Sequence, residues 1–175
     1  METSNSKRDF IGYEYKDVTV KREFESVYID GYLNFGWTLE DTSVPLQNIG
    51  SITLKMKRDR KIRNKAELIR LQRQFESCLS EIEKLELSKN IGPSAIAYII
   101  GIVGAALMAG AVFSYLAGMV PLMIILAIPA FAGWAVPYFL YVKLLGKKTD
   151  EVTPLIDKKY DEIYEVCEKA NGLLA

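Results

Sequence analysis

Between Ile91 and Val142 the chain contains no Asp, Glu, Lys or Arg. No other feature restricts the fold so strongly. A buried helix of a water-soluble protein normally keeps a polar stripe, and this stretch has none that is ionised. A helix crosses about 30 Å of hydrocarbon with about 20 apolar residues, at roughly 1.5 Å per residue. The run is too long for one crossing and suits two. Residues 91–117 read as a first transmembrane helix, 118–121 as an extracytoplasmic turn and 122–145 as a second transmembrane helix. Both must be helical, because a lone strand hairpin would leave unpaired edges in lipid. "GP" at 92–93 predicts a break before the first span, with Pro93 in its first turn. Gly118 supplies turn freedom and Pro121 can start the second span.

Orientation follows from the flanking charge. Lys89 precedes the first span, Lys143, Lys147 and Lys148 follow the second, and the turn has no basic residue. The positive-inside rule places a multi-pass protein in the cell membrane with both termini cytoplasmic. Over the whole chain 22 Lys and Arg balance 22 Asp and Glu, so there is no bulk attraction to nucleic acid. The N-terminal "METSNSKRDF" lacks the apolar core of a cleaved signal.

Small residues recur in the first span, at Gly101 and Ala105, Ala106 and Gly110, and Gly110 and Ser114. Such spacings admit a second helix closely. The partner is either the second span of the same chain or a neighbouring copy around a pore. Pro129 and Pro137 each remove one hydrogen bond from the second span.

Heptads flank the apolar run. In the segment 61–90, Leu68, Leu71, Phe75, Cys78, Ile82 and Leu85 alternate spacings of three and four. In the segment 153–173 and just beyond it, Ile156, Tyr160, Ile163, Cys167, Ala170 and Leu174 repeat the pattern, with Thr153 as a cap and Pro154 at the first helical position. Two spans of opposite direction would bring these segments together antiparallel, as a coiled-coil stalk. Opposite charge supports that register, with Arg70 and Arg73 facing Asp161, Glu162, Glu165 and Glu168, and Glu81, Glu83 and Glu86 facing Lys158 and Lys159. The two cysteines then sit in the seams as small hydrophobes.

Residues 1–60 read as a small α+β cytoplasmic head. "YEYKDVTVK" (13–21) reads as a strand with imperfect alternation of Tyr13, Tyr15, Val18 and Val20. Phe24, Val27, Tyr28, Tyr32 and Phe35 mark one face of a helix, and "WTLEDTS" and "SITLKMKRD" read as strands separated by "PLQNIG". The result is a β-α-β-β unit whose helix covers one sheet face, with Trp37 in its core. At about 60 residues such a head is marginal, and coverage by the following helix would help.

Tyr13, Tyr15, Gly36, Trp37 and Leu39 follow the outline of an aromatic-rich strand, a helix, a "GWEL" element and a closing strand. In this, residues 11–60 resemble DUF4177, a small bacterial domain, although Thr38 stands where that family commonly has Glu. The whole chain resembles a group of two-span membrane proteins of Gram-positive bacteria. Neither resemblance implies catalytic residues or an activity.

Chemistry-bearing patterns are sparse. The chain has no His, and Cys78 and Cys167 are alone. There is no phosphate-binding glycine loop and no nucleophile elbow. No catalytic residue, cofactor site, metal site or small-molecule substrate is expected, and an enzyme is not. The segment 55–65 holds seven basic residues against one acidic residue. It is a candidate contact for an anionic surface, without the aromatic interleaving of single-stranded nucleic-acid binders. The expectation is a noncatalytic membrane scaffold or adaptor, contacting membrane lipids and either forming a homo-oligomer or binding a cytoplasmic protein. An oligomeric pore with a Gly/Ala-rich first span is the alternative.

Overall fold

In the computed structural model, residues 11–45 and 50–174 are described. Residues 1–10 and most of the "PLQNIG" turn lie outside them. The elements are β1 (Tyr13–Lys21), a 3-10 turn (Arg22–Phe24), α1 (Glu25–Leu33), β2 (Thr38–Ser43), β3 (Ser51–Asp59), α2 (Lys65–Leu116) and α3 (Val120–Gly172). The chain divides into two compact units: Met1–Leu79 with Tyr160–Ala175, and Ser80–Lys159.

The first unit holds an antiparallel sheet of order β1-β3-β2. Its pleat sorts side chains to two faces. Ile52, Leu54, Met56 and Arg58 of β3 are buried on the inner face. Register then assigns the inner residues of β1, since Glu14 pairs with Arg58, Lys16 with Met56, Val18 with Leu54 and Val20 with Ile52. Tyr13 and Tyr15 therefore fall on the outer face, 43 % and 66 % exposed. The sequence grouped these tyrosines with Val18 and Val20. The covered positions belong instead to Glu14 and Lys16, whose charges find partners there.

Phe24, Tyr28, Tyr32, Phe35 and Trp37 are buried, whereas Val27 is only half-buried. Phe75 of α2 completes this core. Its ring lies 5.4 to 6.3 Å from those of Tyr28, Tyr32 and Phe35. Gly31 is what admits it, because a Cβ there would overlap the Phe75 ring at Cζ. Gly36, at φ +78°, ends α1. Trp37 N–H donates to Tyr32 O and Gly36 N–H to Leu33 O, the paired bonds of a Schellman motif. That turn delivers Trp37 into the core.

The second unit consists of the C-terminal part of α2 and the N-terminal part of α3, which run antiparallel. Lys159 Nζ meets Glu81 Oε2 at 2.9 Å, and Gly104 meets Gly133 backbone to backbone. A Cβ built on Gly133 would be 2.8 Å from Gly104 Cα. The buried stripe of α2 includes Pro93, Gly104, Ala111 and Ser114, and that of α3 includes Ala130 and Val152. The small residues in contact are thus partly different from those expected. A Cβ built on Gly101 would meet nothing within 4 Å, and Ala105 and Ala106 are exposed. An antiparallel pair follows alternating three- and four-residue steps, so a chain of strict four-residue steps drifts off the seam.

The α2–α3 connection is short. Met119 N–H donates to Ser114 O and Gly118 N–H to Tyr115 O, with Gly118 at φ +77°. This is a second Schellman ending.

Two predicted interruptions are absent. α2 passes through Pro93 and α3 through Pro129, Pro137 and Pro154. Each proline forfeits one hydrogen bond, and packing along a long helix outweighs that loss. Thr153 accordingly caps nothing, and its hydroxyl donates to Thr149 O within the helix. Pro137 has no N–H to offer the Gly133 carbonyl, which is the group facing Gly104 across the closest approach.

The C-terminal seam is also shifted. Ile156, Ile163 and Ala170 are buried as expected, joined by Val152 and Val166, while Tyr160 is 37 % exposed and Cys167 half-buried. Either set satisfies a heptad, and packing selected the one with branched residues on the buried line.

Candidate functional site

In the first unit, polar chemistry converges beneath the sheet. Glu76 is its centre: its Oε1 accepts from Tyr32 Oη at 2.7 Å and from Gln72 Nε2 at 2.8 Å. The Lys16 ammonium forms an ion pair with the same carboxylate and lies 5.1 Å from the Tyr32 ring centroid. Trp37 Nε1 donates to Gln72 Oε1 at 3.0 Å. Burial pushes the Glu76 carboxyl up, but hydrogen bonds from Lys16, Gln72 and Tyr32 outweigh it and hold the group below its ordinary range. Burial, reinforced by Glu76, raises the Tyr32 phenol far above its ordinary value. Tyr32 therefore remains a donor at any physiological pH.

A second group surrounds Glu14. Arg58 Nε donates to Glu14 Oε1 at 2.6 Å, Lys65 Nζ to Glu14 Oε2 at 2.6 Å, and Arg58 Nη1 to Phe35 O at 3.2 Å. The Arg58 guanidinium also covers the Trp37 ring at 4.4 Å. Burial raises the Glu14 carboxyl, and bonds from Lys65 and Arg58 more than reverse the shift. These groups are mutually satisfied: no buried side-chain N or O among the described residues lacks a hydrogen-bond partner. Such closure fixes α2 against the sheet at one register.

The basic segment 55–65 is contiguous in sequence and divided in space. Lys55 and Lys57 stand on the outer face, 3.9 Å from Asp41 and 3.2 Å from Glu40. Arg58 points inward and Lys65 reaches Glu14. Strand alternation alone separates neighbours this way. Lys61 and Arg63 border a cavity of about 480 Å³ with Asp59, Asn64 and residues 172–174.

The cysteines are thiols in packed surroundings. Cys78 is buried with Sγ 3.7 Å from Glu162 Oε2. Burial lifts the Cys167 thiol to about 11, against a smaller opposing effect of an Asn34 hydrogen bond. It remains protonated near neutrality and unreactive. Among the described residues no three His, Cys, Asp or Glu side chains gather in a metal-holding group. Of the distal charge pairs expected across the stalk, Arg70 closes on Glu67 and Glu165 on Lys169 within their own helices.

The sheet has two edges of different character. β2 shifts register between Leu39 and Asp41 and presents the carboxylates of Glu40 and Asp41. β1 runs from Tyr13 to Lys21 without a register shift. The sequence reading did not distinguish them, because edge status depends on strand order.

No family model, curated protein or solved structure matches the chain.

Proposed function

We propose that this protein is a noncatalytic integral membrane scaffold or adaptor. Residues 91–117 and 122–145 cross the cell membrane as a hairpin turning at 118–121, with both termini cytoplasmic. The flanking heptads form an antiparallel coiled-coil stalk, and the head binds protein. The observation that carries this reading is exposed apolar surface. The most apolar 18-residue windows of α2 and α3 have mean hydropathies of 2.3 and 2.0, yet only 11 % and 6 % of them are buried. A soluble protein does not leave such a surface in water, and lipid would cover it. Apart from the carbonyls of Ile125 and Gly133, which Pro129 and Pro137 leave without an N–H four residues on, the helical backbone bonds within itself, as lipid requires.

Two further features support a scaffold over the alternatives. The closest small-residue contact in α2 is made with Gly133 of the same chain, which leaves Gly104 unavailable to line a pore. Lys55, Lys57, Arg58 and Lys65 turn toward the protein's own carboxylates, which favours a protein-facing head over an anionic-surface contact.

Cysteine labelling in intact cells tests the topology. A Met119→Cys variant is expected to react with an impermeant maleimide from outside. Cys78 is buried and would be silent in either orientation, so a Ser80→Cys variant, at an exposed position, serves as the internal reporter. Labelling of Ser80→Cys from outside, with Met119→Cys protected, would overturn the orientation.

A further inference from the structure

Among the described residues β1 lies at an edge of the sheet, and the composition of that edge can be read residue by residue. Flanking bonds fix its phase: Arg60 N–H donates to Gly12 O and Arg22 N–H to Gly50 O, both at 2.9 Å. In an antiparallel ladder the residues bonded to the partner alternate. Glu14, Lys16, Val18 and Val20 therefore bond β3, and the backbone groups of Tyr13, Tyr15, Asp17, Thr19 and Lys21 point away from it. Among the described residues no strand pairs with that side. The edge has no proline and, unlike β2, no register shift. Its outward side chains include Tyr15, 66 % exposed. Unprotected edges of this kind accept another strand.

Self-pairing about a two-fold axis over at least seven residues of β1 allows three registers, centred on Lys16, Asp17 or Val18, and charge selects among them. Centred on Asp17, the pairing spans 13–21 and sets Asp17 against Asp17. Centred on Lys16, it spans 13–19 and sets Lys16 against Lys16. Centred on Val18, it spans 15–21 and opposes Tyr15 to Lys21, Lys16 to Val20, Asp17 to Thr19, and Val18 to itself. This third register has no like charges opposed, and it gains a cation over an aromatic ring and a carboxylate beside a hydroxyl. Lys16 and Asp17 thus act as register selectors, each penalising one alternative.

We propose that a second copy of this chain occupies the β1 edge, antiparallel and centred on Val18, joining two three-stranded sheets into one. The pairing gives the head of the proposed scaffold a specific partner and rests on that reading only in treating the head as an interaction module. Its failure would leave the span orientation untouched, since labelling at Met119 reads that separately.

The test uses the full chain in detergent micelles. Native mass spectrometry is expected to show a dimer. Thr19→Pro removes an N–H that points away from β3, so β1–β3 pairing survives while the edge is blocked. It should give a monomer with unchanged Trp37 fluorescence, read in a Trp134→Phe background. In the proposed register Val18 faces its own copy at a non-hydrogen-bonded position, about 4.5 Å between Cα atoms, which suits a disulfide. Val18→Cys should therefore link the two copies through the introduced thiols, mapped by peptide mass, about tenfold faster than Thr19→Cys does. A monomeric wild type, a dimer that persists in Thr19→Pro, or faster linking of Thr19→Cys would each overturn the proposal.

Discussion

Phe35 and Phe75 are completely buried in the first unit, whereas Phe113 and Phe139 of the second are each 71 % exposed. The same side chain meets opposite fates because the two units solve different problems. The first encloses an apolar core and neutralises every charge that enters it. The second packs two helices along a seam of small residues and turns its large apolar side chains outward. One unit is built for water, and the other has a surface that water does not favour.

The sharpest test of this contrast substitutes both kinds of phenylalanine. Phe75→Ala should cost the head about 3–5 kcal/mol, because a fully enclosed ring leaves a cavity among Tyr28, Tyr32 and Phe35. Denaturant titration followed by Trp37 fluorescence in a Trp134→Phe background would measure it. Phe113→Ala should stay within about 0.5 kcal/mol by the same titration. Equal losses at the two positions would erase the distinction between the units.

A smaller effect is expected at the helix–helix contact. Gly133→Leu places a Cβ 2.8 Å from Gly104 Cα, with more side chain beyond, so the helices must separate. A cost of about 1–3 kcal/mol follows from overpacking, read as a fall in thermal midpoint in detergent. Unchanged stability would show that Gly104 and Gly133 do not set the approach distance.

The third test concerns the buried charges of the head. Glu76→Gln keeps the shape but removes the charge that Lys16, Tyr32 and Gln72 share, for a loss of about 1–2 kcal/mol at neutral pH. Glu76 has its folded pKa below the ordinary 4.5. Its contribution is thus fully present above that value and disappears as the pH falls through the folded pKa. Glu14 has the same sign. The wild-type head should lose stability on acidification below about pH 4.5, and Glu76→Gln should lose less over that range. Parallel pH profiles for the two proteins would remove Glu76 from the linkage.

Much of this was legible in the chain. Apolar continuity from 91 to 142 and the Gly118 turn located the helical hairpin, since neither depends on distant contacts. The head's β-α-β-β order and its buried Phe24, Tyr28, Tyr32, Phe35 and Trp37 were likewise readable from periodicity. Proline misled the reading at 93 and 154. Its local cost of one hydrogen bond is real, but a 52-residue helix keeps its other backbone bonds on both sides of the proline. The glycine pair at 104 and 133 was missed because spacing within one helix does not reveal what lies across from it.

The sequence by itself determined what kind of surface each segment must present, because hydrophobicity and charge are properties of the residues alone. Tertiary structure decided which of those surfaces meet. Strand register turned Glu14 and Lys16 inward and Tyr13 and Tyr15 outward, divided the basic run between two faces and left β1 at an edge. Pairing energies depend on what lies opposite, and only the folded chain specifies that.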